Sequence, residues 1–188
     1  MHKWLFIALS TLPSLVPPVG YAQDGTPPIP KPGKQHEVLK NGEGVWDASM
    51  KLFMGGPDAP ATESKGVETN RMLEGGFFCQ GEFRGDIFGR TFVGKSVLGY
   101  DPNKGKYVGI WVDSMSPKIM HMEGAYDEAT KTLTMWTEST DPATGMPLKE
   151  KQIHKAIDAD TREFKIIQVG EGGKETVLMV VTYKRRAS

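Results

Sequence analysis

Four acidic residues on stretches typical of β-strands are the groups with which this chain could do acid–base chemistry. They are Glu68, Asp113, Glu123 and Glu138. Two carboxylates can act as general acid and general base when both are buried and close together. Carboxylates on strands can equally face water or hold an internal hydrogen-bond network. The chain has no hydrolase elbow or zinc-helix motif, so we assign no catalytic residue and favour non-enzymatic functions.

The histidines do not predict a metal site. His121 and Glu123 are separated by one residue, so on a strand their side chains would point to the same side. A zinc site needs three or four protein ligands, and His154 is the only other histidine on a predicted strand. The glycine-rich stretch 170–174 lacks the spacing of a phosphate loop and predicts a hairpin turn. No metal ligand is therefore assigned, and no cofactor can be named.

Two predicted turns group the residues that could bind a ligand. A four-residue loop after Asp101 places Ser96 opposite Trp111 and Gly94 opposite Asp113. A similar loop after Asp127 places Glu123 opposite Trp136 and His121 opposite Glu138, and directly opposed residues share a sheet face. The candidate ligand-binding residues are Trp111, Asp113, His121, Glu123, Trp136 and Glu138. The indoles would supply apolar contact, and the ionisable groups would orient the polar end of a ligand.

The strand that carries Trp111 has two different faces. Trp111 and Asp113 share one face with Tyr107 and Gly109, whereas the other face is aliphatic and contains Val108, Ile110 and Val112. A binding lumen is lined by aromatic side chains with a few polar groups, so we expect the Trp111 face to point inward. In the alternative, the aliphatic row packs the interior and Trp111 lies outside.

Turn signals separate about ten apolar-alternating segments, which predicts an all-β fold. The segments are 45–54, 63–73, 77–83, 91–100, 106–113, 119–127, 132–140, 148–157, 162–169 and 175–184. Strands at near-regular spacing joined by short loops form a meander, and closure into a barrel hides its edges. We therefore predict an antiparallel barrel of about eight to ten strands, preceded by a short helical turn within 35–44.

The N-terminal segment is typical of an exported protein. Residues 1–22 have a basic start, an apolar run and small residues before a cleavage site after Ala22. Residues 23–35 are rich in proline and glycine and predict a flexible tether, followed by a single β-barrel domain over 36–186. The apolar run is too short for a membrane span. We expect a periplasmic or secreted protein with no transmembrane anchor after processing.

The charge balance and the single cysteine argue against a nucleic-acid partner and against a disulfide within the chain. Cleavage removes one basic residue, Lys3, and leaves 22 basic residues against 23 acidic ones. This balance argues against a nucleic-acid partner, because phosphate contacts need clustered lysine and arginine. Cys79 is the single cysteine, so no disulfide can form within the chain, and its apolar neighbours predict a buried thiol. The oligomeric state is left open.

Several motifs resemble known barrel proteins. Gly44-Val45-Trp46 resembles the Gly-x-Trp signature near the first strand of lipocalin-like (calycin) barrels. The stretches "KGVETNRML", "FVGKSVLGYDPNKGKYVGIWVDSMSP", "EGAYDEATKTLTM", "DPATG" and "VTYKR" resemble a bacterial domain-of-unknown-function family, number fifteen-seventy-nine, which is grouped with calycin-like barrels. The resemblance covers about residues 36–185 and implies a β-barrel without supplying an activity. It also implies structural roles for Gly44 and Trp46, with Trp46 packed at the closed end near Lys184 or Arg185.

Three functional hypotheses follow. The first is a non-enzymatic binder or carrier of a small apolar or amphipathic molecule, because a barrel of this size can hold one small ligand. The second is a structural or protein-interaction barrel with a filled core. The third and weakest is a hydrolase or isomerase that uses buried carboxylates. An interior with unfilled space favours the first hypothesis, and a solid core with an exposed apolar patch favours the second.

Overall fold

Turns rich in aspartate and glycine divide the chain into strands whose side chains alternate between two faces. The computed structural model describes residues 28–53, 60–140, 145 and 147–187. These residues form one α-helix, α1 (Lys34–Lys40), one short 3-10 helix (Glu171–Gly173) and ten strands. The strands are β1 (Gly44–Leu52), β2 (Thr62–Met72), β3 (Phe78–Ile87), β4 (Arg90–Asp101), β5 (Lys106–Asp113), β6 (Ser116–Asp127), β7 (Thr132–Thr140), β8 (Pro147–Ala156), β9 (Thr161–Val169) and β10 (Glu175–Arg185).

The strands form a closed antiparallel barrel. Each strand pairs with its neighbours in sequence, and β1 also pairs with β10 to close the sheet. Closure removes the free edges at which sheets aggregate. The predicted all-β meander barrel is therefore confirmed at ten strands, with the helix on the N-terminal side. The predicted signal peptide, the tether up to residue 27, the loop 55–59 and most of the turn 141–145 lie outside the described residues.

The strand bounds follow the sequence prediction closely, and β3 is the largest difference. It continues to Ile87, four residues beyond the predicted end. The reason is a two-residue hairpin in which Phe88 and Gly89 both have positive φ, 55° and 73°. Such turns match the twist of paired strands. The Asp86 side chain accepts a hydrogen bond from the Gly89 N–H at 2.8 Å and holds this turn.

Both predicted turn registers are present. Asp101 lies opposite Lys106 and Trp111 opposite Ser96, while Glu123 lies opposite Trp136. The predicted His121–Glu138 pair does not form, because within the described residues the β6–β7 ladder ends at the Glu123–Trp136 pair. The β5–β6 ladder is irregular between Asp113 and Trp111, with additional residues in β6. Bulges bend a strand and increase its twist, and we attribute the early end of the β6–β7 ladder to this bend.

Helix α1 packs at one end of the barrel, which we call the helix end; the opposite end is the far end. Leu39 of the helix is buried in the core. The Tyr107 hydroxyl donates to the Gln35 carbonyl oxygen at 2.9 Å, and the His36 ring meets Tyr100 edge to face. No helix among the described residues has the length and apolar character to span a membrane.

Inward-pointing residues form two core clusters. The cluster under the helix contains Leu39, Cys79, Tyr107, Met122, Leu133 and Met135. The cluster around the β1–β10 junction contains Trp46, Ala48, Met50, Phe83, Val181 and Tyr183. Burial of an apolar side chain of this size stabilises a fold by about 1.5–3 kcal/mol. These clusters fix which face of each strand points inward.

Candidate functional site

Trp111 lies on the inner face of the barrel, in the half near the far end. Its ring packs against both core clusters and stacks on Phe92 with ring centroids 6.3 Å apart. On the opposite face of the same strand, Ile110 and Val112 are more than a third exposed. The expectation that the Trp111 face points inward is confirmed, and the alternative with an aliphatic interior is wrong.

Asp113 positions the Trp111 indole. One carboxylate oxygen accepts a hydrogen bond from Trp111 Nε1 at 3.0 Å, and the other accepts one from the Met115 N–H at 2.8 Å. Because both oxygens are engaged within the protein, Asp113 orients the indole and the β5–β6 turn. A role in orienting a ligand stays a prediction.

Glycines allow the aromatic rings to lie directly against the barrel wall. A Cβ on Gly94 would stand 2.1 Å from the Trp111 ring, and one on Gly66 would stand 2.3 Å from the Phe83 ring. Such distances are far below van der Waals contact, so only glycine allows each ring its place. Together Phe83, Phe92 and Trp111 line the inner side of β3, β4 and β5; we call them the aromatic wall.

The other four candidate residues lie on the outer surface. His121 and Glu138 are exposed, and Glu138 keeps 80% of its side-chain surface accessible. Glu123 pairs with Lys104 and, at 3.2 Å, with Lys106. The remaining residue is Trp136, and the Lys149 ammonium lies 4.8 Å from the centroid of its ring.

The six candidate residues therefore do not form one site. Each turn register groups residues correctly on its own pair of strands, but the two groups lie on opposite faces. The β5–β6 ladder places Ile110, not Trp111, opposite His121. This register depends on the Ser114–Met115 turn and the irregularity in β6, for which the sequence offers no simple turn signature. The four candidate carboxylates are divided in the same way, because Glu68 and Asp113 lie inside while Glu123 and Glu138 lie outside.

A buried ion pair crosses the lumen at the helix end. Arg162 Nη2 lies 2.6 Å from Glu68 Oε1, which also accepts a hydrogen bond from Asn70 Nδ2 at 2.8 Å. The guanidinium lies 4.2 Å from the Trp46 ring and 4.4 Å from the Tyr183 ring. Sequence reasoning identified Glu68 as a candidate acid but missed Arg162, since the two residues are 94 positions apart.

Charge and burial compete in setting the pKa values around this ion pair. Burial alone would raise the pKa of Glu68, but the Arg162 charge and the hydrogen bonds from Asn70, Tyr183 and Arg162 outweigh it and lower the pKa. Burial lowers the pKa of His154 to about 4 and raises that of Tyr183 well above its usual range. At neutral pH the group is therefore an ionised pair flanked by a neutral imidazole and a neutral phenol.

The interior around the ion pair is not solid. Protein surrounds both side chains, yet Glu68 keeps 19% and Arg162 keeps 20% of its side-chain surface accessible. Several other inward-facing residues of the barrel are also only partly buried: Phe92, Trp111, Met120, Phe164, Ile166 and Gln168. A close-packed core would leave such side chains almost no accessible surface. These residues therefore keep accessible surface on the inner face of the barrel.

Three strands contribute polar side chains to the far half of the lumen. Thr137 lies opposite Glu150, which in turn lies opposite Gln168, and Gln152 is the next inward residue of β8. We call these four residues the polar wall. Thr137 is 2% exposed, and its hydroxyl has no hydrogen-bond partner among the described residues. Burial raises the pKa of Glu150. Period-two spacing of Glu150 and Gln152 is the sequence signal that could have identified this group.

Trp46 has the structural position that the resemblance implies. It is buried, and its Nε1 donates to the Gly42 carbonyl oxygen at 3.0 Å. Two guanidinium groups lie near its ring, that of Arg185 at 4.1 Å from the ring centroid and that of Arg162 at 4.2 Å. Gly44 has a φ of 117°, and a Cβ there would stand 2.7 Å from Arg185 Nη1. Both features explain why this position takes glycine.

Cys79 is buried, as predicted. Burial, followed by the charges of Glu43 and Glu68, raises the pKa of its thiol to about 11. The protonated thiol is a poor nucleophile, so Cys79 acts here as a small apolar core residue.

The outer face of β4, β5 and β6 carries a shallow apolar groove of about 410 Å³. Phe78, Val97, Val108 and Ile110 form its apolar floor, and His121 and Glu123 border it. Ile119, on the same side of the barrel, is 59% exposed. Contiguous exposed apolar surface of this kind is typical of contact sites on soluble proteins.

Comparison with solved structures supports the fold. The crystal structure of Rv2717c from M. tuberculosis is similar over 82% of this chain and 99% of its own, with 12% identity and a TM-score of 0.58. A redesigned β-barrel matches 84% of this chain and 100% of its own at 14% identity, with a TM-score of 0.41. Identity this low speaks only for the fold, and the second match carries no argument. A comparison with curated protein sequences gave no match.

The family model described as "Protein of unknown function (DUF1579)" matches residues 31–185. The matched region includes α1, all ten strands and every inward-facing residue discussed above. The chain therefore belongs to the DUF1579 family, whose members share this region and whose function is unknown.

Proposed function

We propose that this protein binds a small apolar or amphipathic molecule in the far half of its barrel, without catalysing a reaction on it. The observation that carries the proposal is the partial exposure of inward-facing side chains, above all Trp111 and Phe92 of the aromatic wall. A ligand in contact with these rings would remove apolar surface from water, at about 25 cal/mol per Å². A barrel built only for rigidity would fill this space with side chains.

The distribution of carboxylates favours binding over acid–base catalysis. Glu68 is neutralised by Arg162, and both oxygens of Asp113 are engaged within the protein. An acid–base pair needs two carboxyl groups directed at one reacting atom. The lumen instead offers aromatic surface and hydrogen-bonding side chains, the combination found in binding pockets.

We also propose that the protein acts after export, as a carrier or sensor in the cell envelope or outside the cell. This part of the proposal is supported by the sequence of residues 1–22, which has the features of a cleavable signal peptide. N-terminal sequencing of the protein from its own source tests it, and we expect the mature chain to begin at Gln23. A chain that retains Met1 or the apolar run would contradict export by cleavage.

Binding can be tested with naphthalene, an uncharged fluorescent aromatic. We expect saturable binding that Trp111→Ala weakens by about tenfold, since the indole supplies much of the apolar contact. Ile110→Ala, on the outer face of the same strand, is the matched control and should bind as the wild type does. Equal binding by both variants would contradict the proposed site. Native mass spectrometry of protein from its own source should in addition show a bound molecule that Trp111→Ala loses.

The outer groove favours a second candidate function, a barrel that interacts with another protein through its surface. Ile110 and Ile119 expose apolar area that a lumen ligand would not cover. If this candidate is correct, the double variant Ile110→Ser/Ile119→Ser should abolish a self-association or complex seen by analytical ultracentrifugation. The same variant should leave naphthalene binding unchanged, which separates the two candidates.

A further inference from the structure

The far half of the lumen has two chemically different sides. The aromatic wall on β3–β5 and the polar wall on β7–β9 lie on opposite sides of the barrel, because β6 separates them on one side and β10, β1 and β2 on the other. Residues directly opposed on neighbouring strands share a face, so Glu150 and Gln168 point inward with the buried Thr137. A molecule held between the walls would meet rings on one side and hydrogen-bonding groups on the other.

The polar wall contains hydrogen-bonding capacity that the protein leaves unused. Thr137 is 2% exposed, and within the part of the chain that the structure describes its hydroxyl has no hydrogen-bond partner. Gln152 is 7% exposed, and its amide donates to the Met120 sulfur, 3.5 Å away. A thioether is a weak acceptor. An unpartnered buried hydroxyl costs a protein about 1–3 kcal/mol, and buried polar groups are almost always satisfied in native structures.

The ion pair at the helix end has a balanced charge, although Arg162 Nε is also buried without a hydrogen-bond partner among the described residues. The Glu68 carboxylate receives hydrogen bonds from Arg162 and Asn70 and carries a depressed pKa. Its charge is balanced inside the protein, so it offers no uncompensated charge to a ligand. In the far half, Glu150 is partly buried, and burial raises its pKa.

We infer that the polar wall is a binding site for an uncharged hydrogen-bonding group, such as an amide, an ester carbonyl or a hydroxyl, on a molecule whose apolar body lies against the aromatic wall. Thr137 and Gln152 make the principal contacts, with Glu150 and Gln168 beside them. The inference rests on the proposed lumen binding and adds the chemical class of the ligand's polar end. A carboxylate would be repelled by Glu150 and Asp113, and an ammonium would lose its hydration beside an Asp113 whose two oxygens already accept hydrogen bonds from Trp111 and Met115.

The route to this site is marked by the end of the β6–β7 ladder. Within the described strands, backbone pairing between β6 and β7 stops at Glu123–Trp136, and Thr137 is the next residue of β7. Two strands that part beside a buried hydroxyl can separate further without breaking ladder hydrogen bonds. A ligand entering there would place its polar end next to Thr137 and its apolar body toward Trp111.

Four naphthalene derivatives with one ring system and different substituents test the ligand class. Naphthalene has no polar group, naphthamide is neutral, naphthoate is an anion and naphthylmethylammonium is a cation. Titration calorimetry with the chain that begins at Gln23 should give the tightest binding for naphthamide. We expect it to bind about tenfold more tightly than naphthoate, which meets the Glu150 and Asp113 carboxyl groups, or the ammonium, which loses its hydration. If either charged compound binds as tightly as naphthamide, the inference is wrong.

The variant Thr137→Val removes the hydroxyl and keeps the shape of the side chain. We expect it to weaken naphthamide binding by about fivefold, the loss of one hydrogen bond, and to leave naphthalene binding unchanged. The matched control is Thr182→Val on the exposed face of β10, which should change neither. Equal naphthamide affinities for the two variants would overturn the inference.

A stability measurement separates this site from an ordinary core position. If the hydroxyl of Thr137 has no partner in the free protein, Thr137→Val should raise the midpoint of urea unfolding, because an unsatisfied buried group is removed. A lower midpoint would mean that the hydroxyl is satisfied within the protein, and the inference would fail. If naphthalene itself does not bind, the proposed function fails and the inference with it. If naphthalene binds and naphthamide binds no better, only the inference fails.

Discussion

His154 should make the stability of this barrel depend on pH between pH 7 and pH 5. The imidazole lies inside the barrel, with its centroid 4.7 Å from that of the Phe164 ring. Burial lowers its pKa to about 4, while the Glu68 charge raises it and the Arg162 charge lowers it further. In the unfolded chain the pKa returns to about 6.5. The native state therefore holds a neutral imidazole at pH values where the unfolded chain is protonated.

The sign and size of the effect follow from proton linkage. Between about pH 6.5 and pH 4 the unfolded chain binds a proton that the native protein does not, so the free energy of unfolding falls as pH falls. The full shift is worth about 3 kcal/mol, of which about 2 kcal/mol is lost between pH 7 and pH 5. For a domain of this size, a loss of this magnitude is a large fraction of the total stability.

Urea unfolding followed by tryptophan fluorescence at pH 7, 6 and 5 can measure this loss. His154→Leu removes the titrating group, so the wild type should lose about 2 kcal/mol more than the variant between pH 7 and pH 5. Other titrating groups contribute equally to both proteins and cancel in the difference. His154→Gln keeps a polar side chain and should behave like His154→Leu. Parallel pH profiles for wild type and both variants would refute the assignment of a buried neutral imidazole.

Three further predictions concern the interior. Glu68→Gln leaves Arg162 without its charged partner and should lower the free energy of unfolding, measured in urea, by about 3–5 kcal/mol. The double variant Glu68→Leu/Arg162→Met should recover most of this loss, and an absence of recovery would contradict the pairing. Gly94→Ala drives a methyl group into the Trp111 ring and should cost about 1–3 kcal/mol; in a Trp111→Leu background the cost should largely disappear, and an unchanged cost would refute the contact. Cys79, with a pKa of about 11, should react with an aromatic disulfide reagent at pH 8 only after unfolding, and rapid reaction of the native protein would contradict its burial.

The sequence predicted the fold because the turn chemistry is local. Asp101 accepts hydrogen bonds from the N–H groups of Asn103 and Lys104, and Asp127 accepts one from the Ala129 N–H at 2.9 Å. Each aspartate fixes its own turn, and each turn fixes the register of the two strands beside it. Ten strands and two registers could therefore be predicted without tertiary information.

The composition of the site could not be predicted in the same way. Whether His121 shares a face with Trp111 depends on the β5–β6 register, which an irregularity in β6 shifts. The Glu68–Arg162 ion pair joins strands 94 residues apart, and no local pattern links its two members. The unpartnered hydroxyl of Thr137 is a property of what surrounds it, since a threonine on a strand is ordinary in sequence. The sequence predicted which residues share a face within each pair of strands. Which of these groups point into the same interior depends on how the closed barrel brings the pairs together.

The two halves of the lumen differ in how charge is balanced. At the helix end the Glu68 charge is balanced by Arg162, although Arg162 Nε is buried without a hydrogen-bond partner among the described residues. In the far half, the uncharged hydroxyl of Thr137 is buried with no partner among the same residues, at a cost of about 1–3 kcal/mol. A threonine-to-valine change would remove that cost without changing the shape of the wall. Local costs of this kind are typical of functional positions, and the neutral hydroxyl of Thr137 is therefore the group at which we propose that the polar end of a ligand binds.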